Sequence, residues 1–363
     1  MRHPHASPLR AQGLGRRGFL TAMGGGLAAV AVAGCTNSAN DPPASAEPTS
    51  KGTSGTEPPS AFPVTVTHKF GETTIPAAPQ RIVALGQTDC DPLVALGITP
   101  IAIGSFVEDW YDPIHPWNEQ GFPDGRPEEL NFVEVDFEKV AALSPDLITM
   151  VSGGITKKDY ETLSKIAPVV AVPEGYTDSA VPYGPHTVVI GQAVGREEEA
   201  KALVAEVDAA YAAVREAHPD WAGLSAIHAE AYTGLYQVLG RNAPRTTFLT
   251  SSGFATTPDL DELTGDKYSL EISAEQLDLV GDLDLVIWTT DPGAVADIQK
   301  NPVIKRLAAV QEGHSIWMTY DKDDEFFWAM DCNTVLSGPY AIEHGVPLVE
   351  AALAGQSPLS EGA

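Results

Sequence analysis

From residue 62 onward the chain alternates between two hydrophobic patterns. Short apolar runs at 81–85, 100–104, 146–151 and 169–172 have the length of buried strands. Between them, apolar positions three and four apart at 89–97, 137–143 and 157–166 predict short helices. Segment 65–70 alternates instead, like an edge strand that turns at Gly71 and Glu72. Strands alternating with helices predict a mostly parallel sheet covered by helices. The alternation then stops. Over 186–217, Ile190, Val194, Leu203, Val207, Tyr211 and Val214 recur at helical spacing. They predict one helix spanning about 48 Å, with Gly195, Arg196 and Glu197 as the one candidate break. The α/β pattern resumes with strands at 225–231, 235–239, 284–289 and 315–319. Its helices fall at 245–252, 275–280 and 302–309, with a last one over 333–353.

The predicted fold is therefore α/β, with two Rossmann-like lobes, 62–185 and 218–363, joined by a long rigid helix over 186–217. A repeated phrase supports two lobes. VDFEKVAALSPDLI at 135–148 is echoed by ISAEQLDLVGDLDLVIW at 272–288, each a helix signal around a Glu followed by Asp-Leu and an apolar strand. A single doubly wound domain is the alternative, and it would have to use the long helix as one more crossover. Parallel sheets bind ligands outside the carboxyl ends of their strands, so two facing lobes predict a ligand cleft between them.

The first 61 residues follow neither pattern. Residues 1–34 hold four Arg, no acid and an apolar run from Leu27 to Ala33, which is the layout of an export signal too short to span a bilayer. RRGFL at 16–20 resembles a twin-arginine motif, and VAGC at 32–35 resembles a lipobox in which Cys35 is lipidated. Residues 35–61 are rich in Ser, Thr, Pro, Gly and Ala and predict a flexible tether. A net charge of -27 over 363 residues argues against nucleic acid and anionic membrane surfaces as partners.

No G-x-S-x-G, H-E-x-x-H, P-loop or G-x-G-x-x-G is present, and the nine His are scattered. An exported enzyme using the cleft would need a nucleophile, a metal or paired carboxylates that no local motif supplies. Cys90 and Cys332 remain open between a disulfide and two separate thiols. Aromatics, by contrast, cluster after predicted strand ends: Trp110, Tyr111 and Trp117, then Tyr183, Tyr232 and Tyr236, then Tyr320 and Trp328. Such rings offer large, stiff contact area to a ligand. Arg241 and Arg245 share one turn-rich loop and are candidates for an anionic oxygen ligand. Glu138 and Glu275 each open a short predicted helix, where a carboxylate complements the helix dipole by about 0.3–1 kcal/mol. Capping explains either one singly but not the repetition.

In order and spacing the chain resembles the substrate-binding proteins of ABC importers for iron–siderophore, haem and cobalamin compounds. The resemblance covers about residues 62–355 and rests on RIVALG at 81–86, LVALGITP at 93–100, FEKVAALSPDLI at 137–148, LSKIAPV at 163–169, IGQAVGREEEA at 190–200, FLTSSGF at 248–254 and VPLVEAAL at 346–353. It implies two lobes bridged by one helix, and a lipid-anchored protein on the extracytoplasmic face of the membrane. It further implies that Glu138 and Glu275, one per lobe, dock onto Arg residues of the permease. The expected ligand is a ferric siderophore of hydroxamate or mixed type, with haem or a corrinoid as the alternative. The expected protein is a monomer without enzymatic activity, metal site or cofactor of its own.

Overall fold

The computed structural model describes residues 61–360 apart from Asp109, Ser179 and Asp266. The export signal, Cys35 and nearly all of the tether lie outside the described residues.

A hairpin of β1 (Val64–His68) and β2 (Gly71–Ile75) precedes the first lobe. That lobe runs β3 (Ile82–Ala84), α1 (Cys90–Ala95), β4 (Ala102–Ser105), β5 (Glu128–Asn131), α2 (Phe137–Ala142), β6 (Leu147–Met150), α3 (Lys157–Leu163) and β7 (Val169–Ala171). Its five strands are all parallel, in the order β5-β4-β3-β6-β7. Strands β3, β4, β6 and β7 are buried at every position, because helices or the hairpin cover both faces; this is why their sequences read as unbroken apolar runs.

Helices α4 (Tyr183–Ala193) and α5 (Glu197–Ala217) follow. The sequence predicts one helix over 186–217; the chain instead starts its helix at Tyr183 and breaks it after Ala193. Gly195 causes the break, with φ +72° and no room for a Cβ, which would meet Phe62 at 2.6 Å. The two helices fold back on each other, with Gly191 packed against Ala200 and the Tyr183 hydroxyl donating to Asp208. Only α5 bridges the lobes. Ala200 near its start joins the first lobe's core, while Val207, Tyr211 and Val214 join the second's. A Gly195→Val substitution is expected to cost about 1–3 kcal/mol, read as a lowered urea midpoint, since it forces a branched side chain into the left-handed region. An unchanged midpoint would remove Gly195 as the cause of the break.

The second lobe begins with β8 (Ala226–Tyr232), β9 (Leu235–Leu239), α6 (Pro244–Ser251), α7 (Pro258–Thr264), β10 (Ser269–Ile272), α8 (Asp278–Gly281) and β11 (Leu285–Thr290). Three short helices follow, α9 (Val295–Lys300), α10 (Pro302–Lys305) and α11 (Ala308–Gln311), where one was predicted over 302–309. The lobe ends with β12 (Ser315–Thr319), α12 (Glu325–Cys332) and α13 (Ser337–Leu353). Its strand order is β10-β9-β8-β11-β12, the same permutation as in the first lobe. The one difference is β9, which runs antiparallel to β8 and β10 because a tight turn replaces a crossover. The repeated sequence phrase is thus α2–β6 in one lobe and α8–β11 in the other, each following the edge strand.

Two polar ties join the lobes. Asp91, buried on α1, accepts from Trp117 Nε1 at 3.0 Å, Asn118 Nδ2 at 2.8 Å and, from the second lobe, Thr334 Oγ1 at 2.6 Å. His115 Nδ1 lies 3.1 Å from Glu325 Oε2 on α12. Cys90 and Cys332 are free thiols, both buried.

Candidate functional site

The carboxyl ends of β3, β4, β8 and β12 point into one interlobe cavity of about 520 Å³. The first lobe contributes Gln87, Phe106 and Trp110, from the segments that leave β3 and β4. The second contributes Glu230 and Tyr232 of β8, Tyr320 just past β12, Arg245 of α6, Phe327, Trp328 and Asp331 of α12, and Tyr268.

Rings make most of the wall. Trp110 is 42% exposed and stacks on Trp328, with centroids 6.3 Å apart and planes at 22°. Phe106 lies 4.9 Å from Trp110, and Tyr232 lies 6.4 Å from Tyr320. Trp328 is fixed by donating from Nε1 to the Asp321 carbonyl at 2.9 Å, and the Tyr320 hydroxyl donates to Asp291 Oδ1 at 2.7 Å.

The floor is ionic. Arg245 is 5% exposed; its Nη2 donates to Glu230 Oε1 at 2.7 Å, and its Nε lies 3.1 Å from Asp331 Oδ1. Nη1 faces His228 at 3.3 Å and Thr289 at 3.4 Å, while the Phe327 ring lies 5.0 Å away. Burial alone pulls Arg245 down, but Tyr268, Asp331 and Glu230 outweigh it and hold the guanidinium charged. Burial pushes the Asp331 carboxyl above its ordinary value, opposed by Arg245 and helped by Glu230. Burial and Arg245 keep His228 neutral, well below the usual imidazole range. Tyr320 is pushed up to about 12 by its bond to Asp291, and Tyr268 to about 12 by burial and Asp331.

Of the residues chosen from sequence, the cavity gathers Trp110, Tyr232, Arg245, Tyr320 and Trp328. The others sit elsewhere. Tyr111 is buried in the core between Phe106 and Trp328. Trp117 stacks on His115 at 4.4 Å and serves the interlobe tie through Asp91. Tyr183 is bonded to Asp208 on α5, and Tyr236 accepts from Asn301 Nδ2 at 3.1 Å in the core on the other face of the β8–β9 hairpin. Arg241 lies in a separate cavity of about 410 Å³ with Tyr176 and Asn242, 3.9 Å from Asp261. The sequence reading passed over Gln87, Glu230, Tyr268 and Asp331. For Glu230 a signal existed: it shares a strand face with Tyr232, two residues on.

Glu138 and Glu275 lie outside the cavity, both exposed. Glu138 sits in the first turn of α2, whose amide groups at 138 and 139 are capped by Asp136 Oδ1 at 3.1 and 3.0 Å. Glu275 does not open a helix; it occupies the turn before α8. Both follow the carboxyl end of their lobe's edge strand, β5 or β10. Neither carboxylate has a hydrogen bond or ion pair among the described residues.

Among the described residues, no group of three or more His, Cys, Asp or Glu is placed to hold a metal ion, and no helix is long and apolar enough to cross a membrane. What the cavity offers is ring surface around an ion cluster whose one cation is paired, suited to embracing a bulky solute. Residues 82–320 match the family model described as periplasmic binding protein. The chain belongs to the periplasmic binding protein family. Among relatives of this periplasmic binding protein, YhfQ of Bacillus subtilis (strain 168), named as an ABC transporter substrate-binding lipoprotein, is 29% identical over 266 residues, 69% of this chain and 79% of that protein. A periplasmic solute binding protein from Mycobacterium smegmatis str. MC2 155 superposes with a TM-score of 0.70 at 31% identity, covering 80% of this chain and 98% of that one. PiaA of Streptococcus pneumoniae TIGR4, solved in complex with ferrichrome, gives 0.68 at 26% identity, covering 80% and 99%. The proteins this periplasmic binding protein resembles thus include one named for an ABC transporter, YhfQ, and one solved with ferrichrome, PiaA.

Proposed function

We propose that this protein, anchored by a lipid on Cys35 to the extracytoplasmic face of the membrane, captures a ferric siderophore of hydroxamate or mixed type between its lobes and delivers it to an ABC permease. The observation that carries the ligand class is the cleft itself: among the described residues its single Arg is already held by two carboxylates, and the rest of its wall, Gln87 apart, is aromatic. A catecholate chelate of high negative charge would find no free cation there, whereas a hydroxamate chelate presents apolar arms to rings. Delivery would use Glu138 and Glu275, one carboxylate per lobe, with the protein acting as a monomer. PiaA supports the reading, because a chain of the same fold holds ferrichrome.

Titrating the purified protein with a ferric trihydroxamate is expected to quench its tryptophan fluorescence saturably, because Trp110 and Trp328 wall the cavity. Trp110→Ala should weaken binding about tenfold, as loss of an exposed aromatic anchor does. Silence across hydroxamate, catecholate, citrate and haem would sink the proposal.

A further inference from the structure

Resting on the siderophore reading above, we propose that Glu230 and Asp331 are charge-specificity residues: by holding Arg245 between them, they set the cleft to prefer cationic ferric chelates over anionic ones. Among the described residues, Arg245 is the sole basic side chain lining the cavity. It is ion-paired on two sides: Nη2 donates to Glu230, Nε lies buried beside Asp331, and Nη1 turns towards Thr289 and His228 behind the wall. An anion entering the cleft therefore meets a buried guanidinium already paired with two carboxylates, and it must approach those carboxylates in a partly desolvated site. Two acids against one base leave a formal negative surplus, and protonating Asp331 would make the cluster neutral, never positive.

Next to the lining Tyr320 the sign is the same. Its hydroxyl donates to Asp291, and Asp321, Lys322 and Asp323 follow it in sequence, two acids against one base. A positive group gains twice over, from the surplus carboxylate charge and from the faces of Trp110, Trp328 and Tyr232, over which an ammonium is attracted by the ring quadrupole. Gln87 of the first lobe lines the same cavity as Asp331 of the second, so the cluster lies where a bound chelate would rest.

One chelate in three charge states tests this. A linear ferric trihydroxamate with a terminal primary amine is cationic; its N-acetylated form is neutral and its N-succinylated form anionic, with the iron centre unchanged. The amine form is expected to bind tightest and the succinylated form weakest, the extremes differing about tenfold. Affinities equal within twofold, or a preference for the succinylated form, would overturn the charge assignment while leaving siderophore binding in place. Failure of all three to bind would overturn the siderophore reading and this inference with it. Glu230→Gln and Asp331→Asn keep side-chain shape but release the guanidinium. Each is expected to move the amine-to-succinyl ratio about tenfold towards the anion. An unmoved ratio in variants that still bind would show that these residues do not set it. The wild-type series decides the charge preference even if a variant does not fold.

Discussion

Reversing both candidate docking charges, Glu138→Lys with Glu275→Lys, is expected to abolish import of the ferric chelate while ligand affinity stays within about twofold. The structure separates the two effects. Both carboxylates are exposed, lie outside the cavity and make no bond among the described residues. Helix α2 is capped by Asp136, so it loses only the favourable dipole interaction of Glu138, about 0.3–1 kcal/mol. Glu275 lies in a turn that Ser273 and Gln276 hold, through Ser273 N to Gln276 Oε1 at 3.0 Å and Gln276 N to Ser273 O at 3.0 Å. Folding therefore does not need either charge. A permease with one Arg site per lobe would need both, because two Lys replace two attractions by two repulsions. The checks are uptake of labelled iron chelate by cells that make the variant, and a fluorescence titration of the purified protein. Undiminished uptake would end the docking assignment; lost affinity would show that the residues are structural.

The second large effect concerns folding. Asp89 is fully buried where β3 meets α1, and it accepts from Val151 N and Ser152 N, each at 2.8 Å, and from His186 Nε2 at 3.0 Å. It thus binds the end of β6 and helix α4 to the centre of the first lobe. Burial pushes its carboxyl up, but His186 and the two amides outweigh burial and hold it below its ordinary value. A depressed folded value means that the stabilisation is present above the unfolded carboxylate range and is lost as pH falls through the folded value. Asp89→Ala should cost about 3–5 kcal/mol at neutral pH, by leaving His186 and two amides without their acceptor. It should also flatten the acid limb of stability against pH. A urea midpoint equivalent to less than about 1 kcal/mol of loss would contradict this account.

Much of the architecture was legible because buried parallel strands write themselves as apolar runs, and because the repeated phrase marks the same crossover in each lobe. The antiparallel β9 follows as well, because the strands read at 225–231 and 235–239 leave too few residues for a crossover. Two features were not legible. Strands β5 and β10, EELN and SLEI, are exposed edges without an apolar signature. Helix α12, EFFWAMDC, is buried at six of its eight positions, so no polar face marks it as a helix. That last miss hid part of the site: Trp328 read as an aromatic past a strand end, while Asp331, one helical turn beyond it, passed unnoticed. Three of the aromatics that line the cavity sit directly at strand ends, Phe106 after β4, Tyr320 after β12 and Tyr232 at the end of β8. Tyr236 shows the limit of that rule: it belongs to β9, pairs with Ala231 and faces the opposite core.

Helix α5 runs unbroken from one lobe's core into the other's, and Asp91 and His115 fasten the same junction. The lobes therefore have little freedom to swing, and the empty and loaded forms present nearly the same outline to a transporter. An empty carrier would then compete with a loaded one for the permease. Producing the protein in excess of its chelate should slow iron uptake, so the ratio of carrier to siderophore becomes a control variable in its own right.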